Sequence, residues 1–278
     1  MKKNLIKKVL GVSAVLLFAG SALAGCGSKK DSKELSEKEV TVGVTAGPHQ
    51  QIMQEVARQA KKDGLTIKLK SFTDYNTPNS ALSSNDLDAN SYQTIPFLKD
   101  QIKNKGYKFD QAFKTVAFPM GVYSKSIKNL KDLKDGDSIA VPNDASNETR
   151  GLKLFEKAGI IKLKKGIGQT ATKKDVVSNP KHLKIVELEA SQLPKQLGEV
   201  KAAAINTNFA MGAGLTINED AIFHESLTNN PYPNVFVVQA GHKNDKVIKK
   251  IDKYYHSKQT AAFIKKEFKG SVVLSASK

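Results

Sequence analysis

The sequence predicts an α/β protein of two lobes with a ligand cleft between them. Its 278 residues are 40% apolar, which is enough to bury a sizeable core. Short alternating segments are followed by segments with apolar residues at helical spacing, which indicates parallel strands linked by helices. This rhythm occurs on both sides of a long stretch at 115–124, and the chain returns near Asn230. We therefore expect each lobe to be a mostly parallel sheet flanked by helices.

The first lobe begins with a strand, a helix and a second strand. Val40, Val42 and Val44 alternate with small or polar residues until Gly47-Pro48. Apolar residues at helical spacing follow from Ile52 to Ala60, and alternation resumes at 65–69, which completes a βαβ unit. A helix near 79–84, a short strand around 87–89 and a helix near 96–105 are predicted next.

The second lobe repeats the pattern. The sequence predicts a strand at 138–141, a helix at 148–158 that Gly159 ends, a strand at 183–188, a helix after Ser191 and a strand of small residues at 202–205. A strand at 235–238 and two amphipathic helices at 246–255 and 257–268, with lysine-rich outer faces, complete the chain.

The N-terminus has the pattern of a secretory signal. Four lysines without any acid precede an uncharged run that ends in Leu23-Ala24-Gly25-Cys26, the pattern of a lipoprotein signal whose cysteine is acylated. An ordinary signal peptide with an incidental cysteine, or an uncleaved anchor, stays an alternative. We expect a signal peptide at 1–25, the lipidated Cys26 and a flexible tether at 26–39, one lobe at 40–118 plus 230–278, and the other at 119–229.

The charge pattern argues against nucleic acid. The chain has 44 basic and 27 acidic residues, but Arg58 and Arg150 are its two arginines, and specific contacts to bases and phosphates favour arginine. The single cysteine and five scattered histidines predict neither an internal disulfide nor a metal site, and we expect no cofactor. Recognised catalytic motifs are also lacking, so we expect a protein that is not an enzyme. A surface hydrolase or an adhesin is the remote alternative.

Several polar and aromatic residues follow predicted strands, where ligands gather in α/β proteins. Arg150 lies near the start of a helix and suits a carboxylate, although a surface ion pair with Glu148 or Glu156 is an equal alternative. Asn206 and Asn234 flank strands, but asparagine is also common in turns. The segments 72–75 and 90–97 place aromatic residues at the cleft rim, whereas aromatic residues more often lie in a core.

A family resemblance accounts for these residues together. Its motifs are Asp74-Tyr75-x-x-Pro78-Asn79, Val141-Pro142-Asn143-Asp144-x-x-Asn147-x-x-Arg150 and Pro231-Tyr232-x-Asn234, with further matches at 86–98, 183–194 and 205–207. Over essentially its whole length the chain resembles the NlpA-type lipoproteins, which are the substrate-binding lipoproteins of methionine ATP-binding-cassette importers.

The resemblance implies a periplasmic-binding-protein fold (type II-like) that closes around one amino acid. Arg150 would hold the ligand carboxylate, and Asn147, Asn206 and Asn234 would bond its carboxylate and ammonium groups. Tyr75, Tyr92 and Phe97 would form the slot for the thioether chain. The implied partners are methionine, the permease subunits of an importer and, through the lipid anchor, the extracytoplasmic face of a cell membrane. We expect a monomer.

One position departs from the family pattern. Thr94 stands where the family usually has a histidine that lines the side-chain pocket. Threonine is smaller, so another apolar amino acid or a short methionine-containing peptide is the alternative ligand.

Overall fold

A computed structural model describes residues 34–168, 170–226 and 228–277, which belong to one compact unit. The predicted signal peptide, Cys26 and the first residues of the predicted tether lie outside the described residues. In the part of the chain that is described, no helix is long and apolar enough to cross a membrane.

The elements alternate much as the sequence predicts. In the first part they are β1 (Glu39–Thr45), α1 (Pro48–Lys62), β2 (Thr66–Phe72), α2 (Thr77–Ser83), β3 (Ala89–Thr94), α3 (Ile95–Lys105), β4 (Phe109–Ala117) and β5 (Gly121–Tyr123). They continue with β6 (Ser138–Pro142), α4 (Ala145–Lys157), β7 (Lys162–Leu163), β8 (Val176–Ser178), β9 (Lys184–Leu188), β10 (Ala202–Ile205), α5 (Thr207–Gly212) and β11 (Ala221–His224). The last are β12 (Pro233–Gln239), α6 (Lys246–Tyr255), α7 (Lys258–Phe268) and β13 (Val273–Leu274).

The strands form two larger sheets and one hairpin. The first sheet has the order β13-β4-β12-β3-β1-β2, the second has the order β11-β5-β10-β6-β9, and β7 pairs with β8. The chain passes from the first sheet to the second between β4 and β5 and returns between β11 and β12. This division agrees with the predicted two lobes, whose boundaries stay a prediction.

The sheets are mixed, whereas the sequence predicts mostly parallel ones. The parallel pairs are β1 with β2 and β3, and β6 with β9 and β10. The returning strand β12 enters between β3 and β4 and runs antiparallel to both, and β5 runs antiparallel to β10 and β11. The connections between the lobes cause this, because a strand that arrives directly from the other sheet lacks the crossover helix of a parallel pair.

The largest local difference concerns β3. The sequence predicts a short strand at 87–89 followed by a rim loop, but the strand is Ala89–Thr94 and nearly all of it is buried. Its residues Asn90, Ser91 and Gln93 are polar, so hydropathy alternation does not reveal the strand. Gln93 Nε2 instead donates to Asn79 Oδ1 (2.8 Å) and Asn90 Oδ1 (2.9 Å), which satisfies the buried amides within the sheet.

The end of the predicted tether is packed against the first lobe. The Leu35 N–H donates to Asp245 Oδ2 (2.8 Å), the Leu35 side chain contacts the main core, and Glu37 pairs with Lys250 of α6 (2.7 Å). Packing against the first lobe therefore begins at Leu35 rather than at Val40, because the Leu35 side chain and the buried Asp245 carboxylate attach this segment to the lobe.

Candidate functional site

One cavity brings together all the side chains that the sequence predicts for the site. It encloses about 350 Å³ of empty space, part of which is open to solvent. It lies between residues of the two sheets and their adjoining helices. The predicted residues in its lining are Tyr75, Tyr92, Thr94, Phe97, Asn147, Arg150, Asn206 and Asn234. The lining also includes residues that the sequence analysis missed: His49, Gln93, Phe118, Thr207 and Asn208.

Helix α4 carries Arg150 into this cavity. The helix begins after Asp144, whose Oδ1 accepts a hydrogen bond from the Asn147 N–H (3.0 Å) and so caps the first turn. Gly151 lets the helix lie close to the second sheet, since a Cβ at that position would be 3.2 Å from Ala204 Cβ. Arg150 is 3% exposed and therefore fully desolvated.

The Arg150 guanidinium is bound by a carboxylate of the protein itself. Arg150 Nε donates to Glu225 Oε1 (2.7 Å), and Nη2 donates to Glu225 Oε2 (2.6 Å) and to the Phe118 carbonyl (2.6 Å). The alternative of a surface ion pair with Glu148 or Glu156 is wrong. The two parallel bonds that sequence reasoning reserves for a ligand carboxylate are used by Glu225, and Nη1 has no hydrogen-bond partner among the described residues.

Glu225 is held as firmly as the arginine. Its Oε2 also accepts hydrogen bonds from the Met120 N–H (2.9 Å) and from Asn230 Nδ2 (2.9 Å). Burial raises the pKa of Glu225, but the Arg150 charge and these donors outweigh burial and hold the pKa below its ordinary value. The Arg150 guanidinium also lies 4.3 Å from the centre of the Tyr232 ring, a cation–π contact.

A chain of amides provides an acceptor on another side of the cavity. Asn206 Nδ2 donates to Asn147 Oδ1 (2.8 Å), and Asn147 Nδ2 donates to both carboxylate oxygens of Asp144 (3.0 Å each). Asn206 Oδ1 is buried and has no partner in the described part of the chain. This oxygen is suited to accept from a ligand ammonium, and the Asp144 carboxylate behind it adds negative charge.

Asn208 and His49 provide two further polar atoms. Asn208 Oδ1 accepts a hydrogen bond from the Tyr75 hydroxyl (2.5 Å), which leaves the buried Nδ2 without a partner within residues 34–168, 170–226 and 228–277. His49 Nδ1 bonds to Thr45 Oγ1 (2.8 Å), and its Nε2 is likewise buried and unpaired there. Burial lowers the pKa of His49 to about 4, although the nearby Asn234 side chain partly opposes this, so the ring is neutral at pH 7.

Asn234 lies in a strand rather than just before one. It belongs to β12, where it pairs opposite Thr94 of β3, and its Nδ2 donates to the Val116 carbonyl of β4 (3.1 Å). Thr94 Oγ1 in turn accepts from the Phe97 N–H (3.3 Å) and caps α3. Sheet pairing thus fixes both side chains at the cavity.

Three aromatic rings form an apolar wall. The Tyr75 ring centre lies 5.9 Å from those of Tyr92 and Phe97, and the latter two are 6.1 Å apart. Tyr92 donates its hydroxyl proton to the Tyr75 carbonyl (2.8 Å). Burial raises the pKa of both tyrosines, so they stay neutral. Such a wall suits an apolar or thioether side chain.

Sequence patterns could have indicated some of the missed lining residues but not others. His49 follows β1 and Asn208 lies two residues beyond Asn206, so the rule that ligands bind at strand ends could have found both. Glu225 also directly follows a strand, β11, but the sequence analysis predicts no strand there, and the pairing with Arg150 spans 75 residues of chain. Among the described residues, no group of three or more His, Cys, Asp or Glu side chains could hold a metal ion.

Comparison with known proteins finds close relatives over nearly the whole chain. The NlpA lipoprotein family model matches residues 40–276. The D-methionine-binding lipoprotein MetQ of Salmonella typhimurium is 44% identical over 260 residues, 92% of this chain and 94% of that protein. A nutrient binding protein from Burkholderia cenocepacia bound to methionine is 50% identical with a TM-score of 0.83, over 85% of this chain and 100% of that one. An ABC transporter periplasmic substrate-binding protein from Coxiella burnetii is 46% identical with a TM-score of 0.81, over the same shares.

Proposed function

The chain belongs to the NlpA lipoprotein family, and from this we propose that it is an extracytoplasmic, lipid-anchored binding protein that captures methionine for an ATP-binding-cassette importer. The relatives described above are named as binding proteins rather than enzymes, and we assign this chain to the same class.

One observation carries the proposal: a single cavity combines donors and acceptors that have no partner among the described residues with an aromatic wall. Asn208 Nδ2 can only donate, as can Arg150 Nη1, which makes none of the three hydrogen bonds described for the guanidinium, and both suit a carboxylate. Asn206 Oδ1 can only accept, which suits an ammonium. Tyr75, Tyr92 and Phe97 offer the surface for an apolar side chain. An α-amino acid with an unbranched apolar side chain has these three features.

The mechanism follows from where these atoms lie. Arg150, Asn147, Asn206 and Asn208 belong to α4, α5 and their flanks in the second lobe, while the aromatic wall belongs to the first. A ligand that contacts both the polar residues and the aromatic wall makes all of its contacts only in the closed form of the protein. Its higher affinity for that form shifts the population towards it. In this proposal the closed form is what the membrane subunits of the importer recognise.

Calorimetric titration of the purified protein, freed of bound ligand by unfolding and refolding, tests the proposal. We expect methionine to bind with a dissociation constant in the micromolar range or tighter, and glycine, which has no side chain for the aromatic wall, to bind far more weakly. A protein that binds no methionine but folds normally contradicts the proposal.

The alternative ligand classes enter the same experiment. Thr94 lines the cavity, and its hydroxyl is engaged in capping α3. Because Thr94 is smaller than the histidine that the family usually has there, leucine and the dipeptide glycyl-methionine are titrated beside L- and D-methionine. Tighter binding of either leucine or the dipeptide would replace methionine as the assigned ligand while leaving the role of binding protein unchanged.

A further inference from the structure

Glu225 removes the net positive charge that Arg150 would otherwise bring to the cavity. Arg150 is the one charged side chain in the described lining, and a lone buried guanidinium attracts any anion. Its side chain is 4% exposed and that of Glu225 is 12% exposed, so water does little to screen either charge. The pair is held by two bonds of 2.6–2.7 Å and is therefore close to neutral as seen from the cavity.

The polar atoms that remain match a ligand that carries both charges. On the donor side are Asn208 Nδ2, which is buried and unpaired in the described part of the chain, and Arg150 Nη1, since the guanidinium bonds to the protein through Nε and Nη2. On the acceptor side is Asn206 Oδ1, behind which Asn147 connects to the buried Asp144 carboxylate. An anionic ligand would add an uncompensated negative charge to a set that already contains Glu225 and Asp144, whereas a zwitterion adds none.

We propose that Glu225 is a specificity-determining residue: by occupying the Arg150 guanidinium, it makes the cavity accept a zwitterionic amino acid and reject an anion of the same shape. The inference rests on the proposed function and adds to it the charge state of the ligand and the residue that selects it. Glu225 acts through Arg150 and is a positioning residue in that sense.

The α-hydroxy analogue of methionine tests this proposal, because its hydroxyl can still donate to Asn206 Oδ1 while its net charge is negative. The measured quantity is the ratio of the dissociation constants of the hydroxy analogue and methionine. We expect a ratio of about 100 for the wild type, and a ratio at least about tenfold lower for Glu225→Gln, in which Arg150 lacks its counter-charge.

Two variants separate charge from structure. Asn230→Ala removes one hydrogen bond from Glu225 but keeps its charge, and Glu225→Asp keeps the charge on a shorter side chain. We expect both to weaken binding of the two ligands alike and to leave the ratio within about threefold of the wild type. If Asn230→Ala lowers the ratio as far as Glu225→Gln does, loosening rather than charge explains the effect and the proposal is wrong.

The outcomes distinguish this inference from the proposed function. A wild-type protein that binds neither ligand contradicts the proposed function. A protein that binds methionine but shows the same ratio in Glu225→Gln contradicts the inference alone. Should Glu225→Gln fail to fold by circular dichroism, the wild-type ratio still tests the premise that the cavity rejects an anion: a value near one overturns the inference, and a value above about ten supports that premise.

Discussion

The Tyr75 hydroxyl and the Asn208 side chain join the two lobes directly through a 2.5 Å hydrogen bond across the cavity. Tyr75 follows β2 of the first sheet, and Asn208 lies in α5, which follows β10 of the second. The Tyr75 ring also lies 4.7 Å from that of Phe209 on the same helix. Because the Tyr75–Asn208 hydrogen bond connects residues of different lobes, its loss should destabilise the closed form of the protein.

Tyr75→Phe should weaken methionine binding by about 2–10-fold, because a net buried hydrogen bond contributes about 0.5–1.5 kcal/mol and the ring itself is kept. Calorimetric titration measures the change. Tyr254→Phe is the matched control, since it removes the hydrogen bond from the Tyr254 hydroxyl to Asp63 far from the cavity lining. Equal affinity losses in both variants would show that Tyr75 has no special part in closure.

The two arginines of the chain offer a second matched pair. Arg150→Lys keeps a positive charge near Glu225 but cannot reproduce the planar set of donors, and we expect it to weaken methionine binding by at least about 100-fold. Arg58→Lys changes a half-exposed residue paired with Glu55 on α1, so its affinity should equal that of the wild type. An Arg150→Lys protein that binds normally would exclude Arg150 from the ligand site.

The buried His49 predicts a specific pH dependence of stability. Its pKa is lowered to about 4 when folded, compared with about 6.5 when unfolded. Between these values the unfolded chain binds a proton that the folded chain does not, so the free energy of unfolding falls as the pH is lowered through this window. The contribution of His49 between pH 7 and pH 5 is about 2 kcal/mol.

Guanidinium chloride unfolding at both pH values, for the wild type and for His49→Gln, measures this contribution. Other groups titrate in the same range, but they are shared by the two proteins, so the difference between the proteins isolates His49. We expect the wild type to lose about 2 kcal/mol more than the variant. Identical losses would mean that His49 is protonated in the folded protein.

Gly151 predicts a link between packing and binding. A Cβ at this position would lie 3.1 Å from Val141 Cγ1 of β6 and 3.2 Å from Ala204 Cβ of β10, both of which belong to the second sheet. Gly151→Val should therefore push α4 outwards, cost about 1–3 kcal/mol of stability, and weaken ligand binding by moving the neighbouring Arg150.

Thermal unfolding and calorimetric titration of the Gly151→Val protein check both effects. At Gly198 a Cβ would meet nothing within 4 Å, so Gly198→Val is the control and should change neither property greatly. A Gly151→Val protein with reduced stability but normal affinity would show that the position of Arg150 does not depend on the packing of α4.

Local patterns predicted much of the fold. The alternation at Val40, Val42 and Val44 predicts β1, and the small-residue run at 202–205 predicts β10, because the buried positions of each strand are mostly apolar. The strand β3 escaped such reasoning. Its buried amides bond to one another, and that pairing depends on Asn79, which lies outside the strand.

For the site, residue types and motifs alone indicate which side chains to consider. Arg150, the asparagines and the aromatic residues all lie in segments that follow or flank the predicted strands, and the family motifs contain them. Contacts between distant parts of the folded chain establish which of their polar atoms stay available to a ligand. Glu225 pairs with the Arg150 guanidinium although the two residues lie 75 positions apart in the chain. The Tyr75 hydroxyl donates to Asn208 Oδ1, and burial keeps His49 neutral. These depend on long-range contacts and on desolvation, and neither property is encoded in the spacing of neighbouring residues.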